Sequence, residues 1–256
     1  MADQWINRAH VRDTFHRYVT QFDTSDVRVT MKASHAGHVA ALSAQIAQAL
    51  SLSEEETGIA WLTGMLHDIG HFEQLARYGT FFDKGSVDHA ALGADLLFRD
   101  GHIRDYVASD RHDLLIEHVI RAHNRFRLPK NQSDRERMFC RILRDADKID
   151  ILRIASFEPP DAVYETDAEK VLSSAVSKEV EEVFHTRHVI DHDIKHTPAD
   201  FMAGDASLAF GLFYRESRKL LKETGYHKKI FAHPMTDAAT CAAFLRMEAE
   251  LDDYLG

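Results

Sequence analysis

The chain has 256 residues, of which 45% are hydrophobic and 28% charged, so it can bury a sizeable core without disulfides. Its formal net charge of −10 argues against a broad nucleic-acid-binding face, because neutralising phosphates requires clustered Lys and Arg. Only 12 glycines and 5 prolines are present, which argues against a sheet-rich fold with many tight turns.

Hydrophobic spacing typical of helices dominates the sequence and predicts an all-α fold. The first helix is expected over residues 4–22 and the second from about His35. Ser53 and Glu56 form a capping-box pattern that opens the third helix. That helix is expected to end near Gly70, as a C-terminal cap.

Residues 71–85 are expected to form a loop, after which Ser86 caps a helix that reaches about Phe98. Further helices are expected over these segments: 111–124, about 133–153, 167–190, 205–224 and 236–254. Pro159 and Pro160 mark the best internal boundary. We therefore expect a chemical domain over residues 1–158 and a C-terminal helical extension over 159–256 that packs on it.

The two cysteines, Cys140 and Cys241, both lie in apolar helical patterns and are expected to be reduced, buried thiols. The N-terminal residues lack the basic start and apolar stretch of a secretory signal. No apolar run approaches the roughly 20 residues that span a bilayer. These features predict a cytoplasmic protein that does not bind membranes.

Histidine is unusually frequent, with 17 copies, and the dipeptide His67-Asp68 closes an otherwise apolar helix. A histidine and an aspartate side by side suit Zn²⁺, Mn²⁺ or iron. By itself the dipeptide is a weak signal, and the simpler interpretation is a helix end where a histidine interacts with the dipole. The context favours a metal site, since other histidines and acids occupy comparable positions. These are His35 in residues 32–39, His89 in 86–93, His123 in 117–124 and Asp147 in 144–150.

The ordered series His35, His67-Asp68, His89, His123, Asp147 resembles the HD superfamily of metal-dependent phosphohydrolases. The resemblance covers roughly residues 30–155. It implies an all-α core of about five helices, each of which brings a ligand to one centre.

The resemblance also implies a set of ligands. His35, His67, Asp68 and Asp147 match the ligands of the first metal, while His89 and His123 match those of a second ion that Asp68 would bridge. His118 competes with His123, but five residues separate the two, so only one should face the site, and we favour His123. We expect one or two divalent ions of Mn, Fe, Zn, Ni or Co.

At two places the sequence differs from motifs of particular HD subgroups. Members that cleave cyclic dinucleotides carry two adjacent histidines and a Gly-Tyr-Pro signature, whereas here Asn124 and Arg125 follow His123. Some members carry Lys directly after His-Asp-x-Gly. Here His71 occupies that position, which resembles the nucleotide triphosphohydrolases.

The implied reaction is hydrolysis by a metal-activated water, with Asp68 orienting the nucleophile. Lys148 and Arg77 are candidate catalytic and phosphate-binding cations, and Lys84 a further phosphate-binding one. Their alternatives are a Lys148 ion pair with Asp145 or Asp150, and plain surface charge for Arg77 and Lys84. Two further candidates for substrate binding are Asn124 and His38, although His38 is equally consistent with a structural hydrogen bond.

The expected partner is a small phosphorylated substrate, a nucleotide or another phosphate ester. Two alternatives share the ligand pattern: a mixed-valence di-iron oxygenase on the same scaffold, and a regulatory domain that binds metal without turnover. The sequence leaves a homodimer open.

Overall fold

The computed structural model describes residues 5–164 and 166–256, and these ranges are helical, without a strand. The predicted all-α class is therefore confirmed. The helices are α1 Arg8–Val19, α2 Val27–Ala49, α3 Glu54–Leu66, α4 Gly70–Tyr78, α5 His89–Ala94, α6 Ile103–Tyr106, α7 Asp113–Ala122, α8 Asp134–Phe157, α9 Pro160–Tyr164, α10 Ala168–Leu172, α11 Lys178–Phe184, α12 Pro198–Ser207, α13 Arg215–Thr224, α14 Tyr226–Phe231 and α15 Ala238–Leu255. Within the described ranges, no helix combines the length and the apolar character that crossing a membrane requires.

The chain divides into two compact units, the first ending at Ala146 and the second beginning at Asp147. The division falls inside α8, which is one continuous helix. The expected domain boundary after residue 158 stays a prediction.

In the first unit, α2 and α3 pack so closely that their backbones touch. A Cβ atom added to Gly64 of α3 would lie 2.7 Å from the Cα of Ala40 on α2. The bulky residues of α3 at this level, Trp61, Leu62 and Leu66, are all buried. This pairing holds His35 on α2 and His67 at the end of α3 inside the unit, where both are buried.

Two helix starts differ from the prediction. α1 begins at Arg8, because the Asn7 side chain accepts hydrogen bonds from the backbone N–H of Ala9 and His10. The expected start at residue 4 lies outside the described residues. α2 begins at Val27, well before His35, because Asp26 caps it by accepting from Arg28. The capping box at Ser53 and Glu56 opens α3 as predicted.

Gly70 does not cap a helix, which corrects the prediction. α3 ends at Leu66, and Gly70 is instead the first residue of α4. A Cβ atom at Gly70 would lie 2.2 Å from the carbonyl oxygen of His89 and 2.6 Å from the nitrogen of Gly93. Glycine is needed here because α4 approaches the backbone of α5.

The prediction of a loop over residues 71–85 is also wrong, since most of this segment belongs to α4. The helix is followed by Gly79, which caps it in the left-handed conformation. The next helix is capped by Asp88, which accepts from Ala91, and not by Ser86. It passes after Ala94 into a π-helical segment, Asp95–Arg99.

The second unit breaks two expected long helices into shorter ones. The segment 167–190 contains α10 and α11, because Ser177 caps a new helix. The segment 205–224 is interrupted by the 3-10 turn Leu208–Gly211 before α13 begins. Its core includes the rings of Phe184, Phe231 and Phe244, with centroids 6.0 and 5.3 Å apart in successive pairs.

Candidate metal centre

The carboxylate of Asp68 lies between α3 and α4, only 4% exposed, and five histidine rings surround it. Its two oxygens face different groups. The Nε2 atoms of His123, His89 and His71 lie 3.3, 3.5 and 3.6 Å from Oδ1. The Nε2 atoms of His35 and His67 lie 3.5 Å from Oδ2, and Lys32 Nζ lies 2.7 Å from the same oxygen.

Each ring comes from a different local element, and several come from helix ends. His67 follows the last residue of α3, His89 is the first residue of α5, and His123 follows α7. His35 lies within α2 and His71 in the first turn of α4. Rings from five separate positions along the chain therefore converge on one carboxylate.

Four of the rings are oriented by a hydrogen bond at Nδ1. The partner oxygens are Gly64 O at 2.8 Å from His67, Ile120 O at 2.7 Å from His123, Asp83 Oδ1 at 2.8 Å from His89 and Gln74 Oε1 at 2.6 Å from His71. Carbonyl and carboxylate oxygens only accept, so Nδ1 carries the proton in each ring. In the neutral tautomer, each Nε2 then presents a lone pair toward Asp68. Metal-binding histidines in proteins are oriented in this way.

Gln74 fixes the ring of His71. Its Nε2 lies 2.9 Å from three acceptors, Asp83 Oδ1, Ser86 Oγ and the Val87 carbonyl, for its two hydrogens. The amide oxygen is therefore the atom that faces His71.

The charges around the carboxylate keep Asp68 ionised. Burial by itself would raise the pKa of Asp68, but positive charge beside it, including that of Lys32 at 2.7 Å from Oδ2, holds it well below its usual range. Burial and the nearby Lys32 charge hold the pKa of His71 well below its ordinary value, so this ring is neutral. Asp83 is partly buried, which opposes ionisation, but hydrogen bonds from His89 and Gln74 lower its pKa to about 2.

The donor atoms fit a metal ion. His89 Nε2 and His123 Nε2 lie 3.1 Å apart, and both are acceptors in the tautomer that their Nδ1 partners select. Two lone pairs this close repel unless a cation or an extra proton lies beside them. Neutral imidazoles with an ionised carboxylate form the donor set that Zn²⁺, Mn²⁺ and iron prefer.

Within the first unit, two groups could hold an ion, each with its ligand atoms within 4.8 Å of one another. They are His67, Asp68 and His123, and Asp68, His71 and His89. The predicted ligand His35 has its Nε2 3.5 Å from Asp68 Oδ2. Asp147 is the first residue of the second unit, and its role as a ligand stays a prediction.

The competing histidine, His118, lies elsewhere. Its Nε2 is 2.6 Å from Gln132 Nε2, and its Nδ1 is 3.9 Å from Glu136. His123 is the one of the pair that contacts Asp68.

Some predicted substrate residues contact other groups. Arg77 lies on α4, not in a loop, and pairs with Glu73 at 2.8 Å while 56% of its side chain is exposed. His38 is exposed and its Nδ1 donates to the Ser34 carbonyl at 2.8 Å, the structural hydrogen bond that was its alternative. Lys84 is exposed between α4 and α5. The roles assigned to these three remain predictions.

The two other predicted substrate residues are partly buried. Asn124 follows His123 and donates to Asp88 Oδ1 at 2.9 Å and Asp83 Oδ2 at 3.3 Å, which ties the loop before α5 to the end of α7. In the second unit, Lys148 Nζ donates to the Gly211 carbonyl at 2.7 Å. A role for either in substrate binding remains a prediction.

Four residues at this site were not predicted from the sequence: Lys32, His71, Gln74 and Asp83. The spacing of two of them could have pointed to the site. Lys32 lies three residues before His35, and His71 lies four residues after His67 and three after Asp68. Residues at such spacings lie on the same face of a helix. Gln74 and Asp83 act through His71 and His89, and no periodicity points to Asp83.

Comparison with known proteins gives one result. A family model described as HD domain matches residues 33–152. No curated protein and no solved structure matches the chain. The matched segment contains all six predicted ligands and also His71. The predicted resemblance to the HD superfamily is therefore confirmed for residues 33–152.

Proposed function

We propose that this protein is a metal-dependent phosphohydrolase that cleaves a phosphate ester of a nucleotide or another small molecule. The observation that carries the proposal is the buried, ionised Asp68, whose two oxygens face histidine Nε2 atoms on different sides. HD domains belong to a superfamily of metal-dependent phosphohydrolases, which makes phosphate ester hydrolysis the first reaction to test.

Two sets of residues are suited to hold ions. His35 and His67 face Oδ2 of Asp68, with Asp147 as the further ligand that the HD resemblance implies, while His89 and His123 face Oδ1. A bound divalent ion lowers the pKa of a water toward about 7 and polarises a phosphoryl oxygen.

The residues around these sets also have defined roles. Asp68 remains a carboxylate at neutral pH and so can share its oxygens between the two sets. His71 is neutral with Nδ1 bonded to Gln74, so its Nε2 can accept a hydrogen bond from a water or a substrate hydroxyl. A site that carries divalent ions attracts a phosphate even though the chain as a whole has a net charge of −10.

We further propose the cytoplasm as the compartment. Both cysteines are free, and burial raises the pKa of the Cys140 thiol to about 11, which suits a reduced, unreactive side chain.

The experiment that tests the reaction uses metal-free protein reconstituted with Mn²⁺. Chromogenic phosphate monoester and diester substrates are offered side by side, and wild type is compared with Asp68→Ala. We expect manganese-dependent turnover of at least one substrate class. Asp68→Ala should lose this turnover, the bound metal and the rise in Tm that metal confers on wild type, because binding to the folded state raises its stability.

Asp110→Ala is the matched control, since Asp110 is an exposed acid. It should keep metal, turnover and Tm. Folded, metal-loaded wild type that hydrolyses neither ester would contradict the proposal, and oxygen consumption by an iron-loaded sample would then favour the oxygenase.

A further inference from the structure

We propose that Lys32 is the phosphate-binding cation of this site, released from Asp68 when a metal ion takes its place; this inference rests on the proposed phosphohydrolase function. Lys32 lies on α2, one turn before His35, and its Nζ is 2.7 Å from Asp68 Oδ2. Its side chain is 20% exposed, whereas that of Asp68 is 5% exposed.

The Oδ2 atom of Asp68 can bind either the Lys32 ammonium or a metal ion. Oδ2 of Asp68 faces both Lys32 Nζ and the Nε2 atoms of His35 and His67, which are suited to hold an ion. A divalent ion bound to that oxygen would lie within a few ångströms of the ammonium. Like charges at such a distance repel more strongly in a partly buried site than in water. Metal binding therefore weakens the hold of Asp68 on Lys32.

A second contact keeps the ammonium nearby when it leaves Asp68. Lys32 Nζ lies 5.4 Å from the centroid of the Phe81 ring, within cation–π range. The Phe81 ring in turn packs edge-on against His71, with centroids 5.0 Å apart. Lys32 thus stays at the rim of the cluster, where an anion beside the ions would meet it.

Two of the other candidate cations contact different groups. Arg77 pairs with Glu73, and Lys148 donates to the Gly211 carbonyl. Lys32 Nζ, by contrast, lies 2.7 Å from the carboxylate that the histidines surround. A phosphate is the ligand class that fits, because it can contact a metal ion and accept a charge-assisted hydrogen bond from the ammonium together.

The test compares Lys32→Met with wild type and measures two bindings separately. Bound Mn²⁺ is quantified by elemental analysis and titration, and the affinity of the manganese-loaded protein for inorganic phosphate is measured by calorimetry. We expect Lys32→Met to bind Mn²⁺ at least as tightly as wild type, because a competing cation is gone. Its affinity for phosphate should fall about ten-fold or more, as removal of a hydrogen bond from a charged donor predicts. With any ester that wild type hydrolyses, KM should rise more than kcat falls.

Two further variants serve as a charge-conserving test and as a surface control. Lys32→Arg keeps the charge and should recover part of the phosphate affinity, and it serves as the test variant if Lys32→Met does not fold. Lys178→Met, at an exposed ion pair with Glu182, should leave both bindings unchanged.

The outcomes separate this inference from the function on which it rests. If wild type binds phosphate and turns over an ester while Lys32→Met binds phosphate equally well, the Lys32 assignment is wrong and the hydrolase stands. If Lys32→Met loses its metal, Lys32 supports the metal site and the assignment is also wrong. If metal-loaded wild type neither binds phosphate nor hydrolyses an ester, both proposals fail.

Discussion

At the scale of single residues, the partner of Nδ1 decides what each histidine does. His123 donates Nδ1–H to the Ile120 carbonyl one turn earlier, which leaves Nε2 directed at Asp68. His118 is on the same helix, but its Nε2 contacts Gln132. Helical spacing predicts that only one of the two histidines faces the site. Which one it is depends on the tertiary contact with Asp68, which His123 makes.

Asp83 provides a test of this orienting role. It accepts the Nδ1–H of His89 and is ionised, with a pKa of about 2. Asp83→Asn should weaken metal binding by about 10- to 100-fold, because the partner that orients a ligand histidine and raises its basicity loses its charge. Titration of the metal-free protein with Mn²⁺ or Co²⁺ measures the change.

Asp134→Asn is the control for this variant, because Asp134 is a fully exposed acid with an ion pair to Arg137. Surface pairs of this kind contribute little, so its metal affinity should equal that of wild type. Equal affinities in the two variants would show that Asp83 does not support His89.

At the scale of helices, the capping box that opens α3 was readable from sequence, whereas the local caps Asp26 and Asp88 were missed. A helix end that depends on another helix is not readable in this way. Ser53 and Glu56 satisfy each other's backbone N–H groups within four residues, so the start of α3 was predicted correctly. Gly70 looked like a helix cap because glycine is common there. Glycine is required at position 70 because the His89 carbonyl and Gly93, about twenty residues further along, leave no room for a Cβ atom.

Gly70→Ala tests the contact between α4 and α5. The new Cβ would meet backbone atoms 2.2 and 2.6 Å away, which cannot move aside as a side chain could. We expect a loss of about 1–3 kcal/mol or more in the free energy of unfolding, as for other overpacked sites. The shift of His89 should also weaken metal binding. Urea unfolding of the metal-free protein and metal titration measure the two effects.

Gly37→Ala is the opposite case within α2, because nothing lies within 4 Å of its added Cβ. An alanine in a helix interior is favoured over glycine by about 0.8–1.0 kcal/mol, so this variant should be more stable than wild type. A Gly70→Ala protein as stable as wild type would contradict the close approach of the two helices.

At the scale of the whole molecule, a buried acid in the second unit makes stability depend on pH. Burial raises the pKa of Asp205 to about 6, although Lys195 and a hydrogen bond from the Tyr164 hydroxyl at 3.1 Å oppose the shift. Between the unfolded and the folded pKa, the folded chain retains a proton that the unfolded chain has lost. This contribution to stability is present below about pH 4 and is lost as pH rises through 6.

Asp205→Asn keeps an oxygen for the Tyr164 hydroxyl and removes the titration. The free energy of unfolding of wild type should therefore fall relative to that of the variant between about pH 4 and 6, and the difference should stay constant above that range. Denaturant unfolding at a series of pH values measures it. A difference that does not change with pH would contradict the raised pKa.

The sequence by itself determined the helical class, the start of α3 and the six residues in HD order, because helix periodicity, capping and a motif are all local in the chain. It did not separate α10 from α11 or place the loop after Tyr78, since propensities there are overridden by packing and caps. Only the tertiary structure brought Lys32 to Asp68, 36 residues away, and seated His71 against His89. Those contacts depend on how separate helices pack against each other. The spacing of residues along one helix does not predict the distance between side chains on two helices.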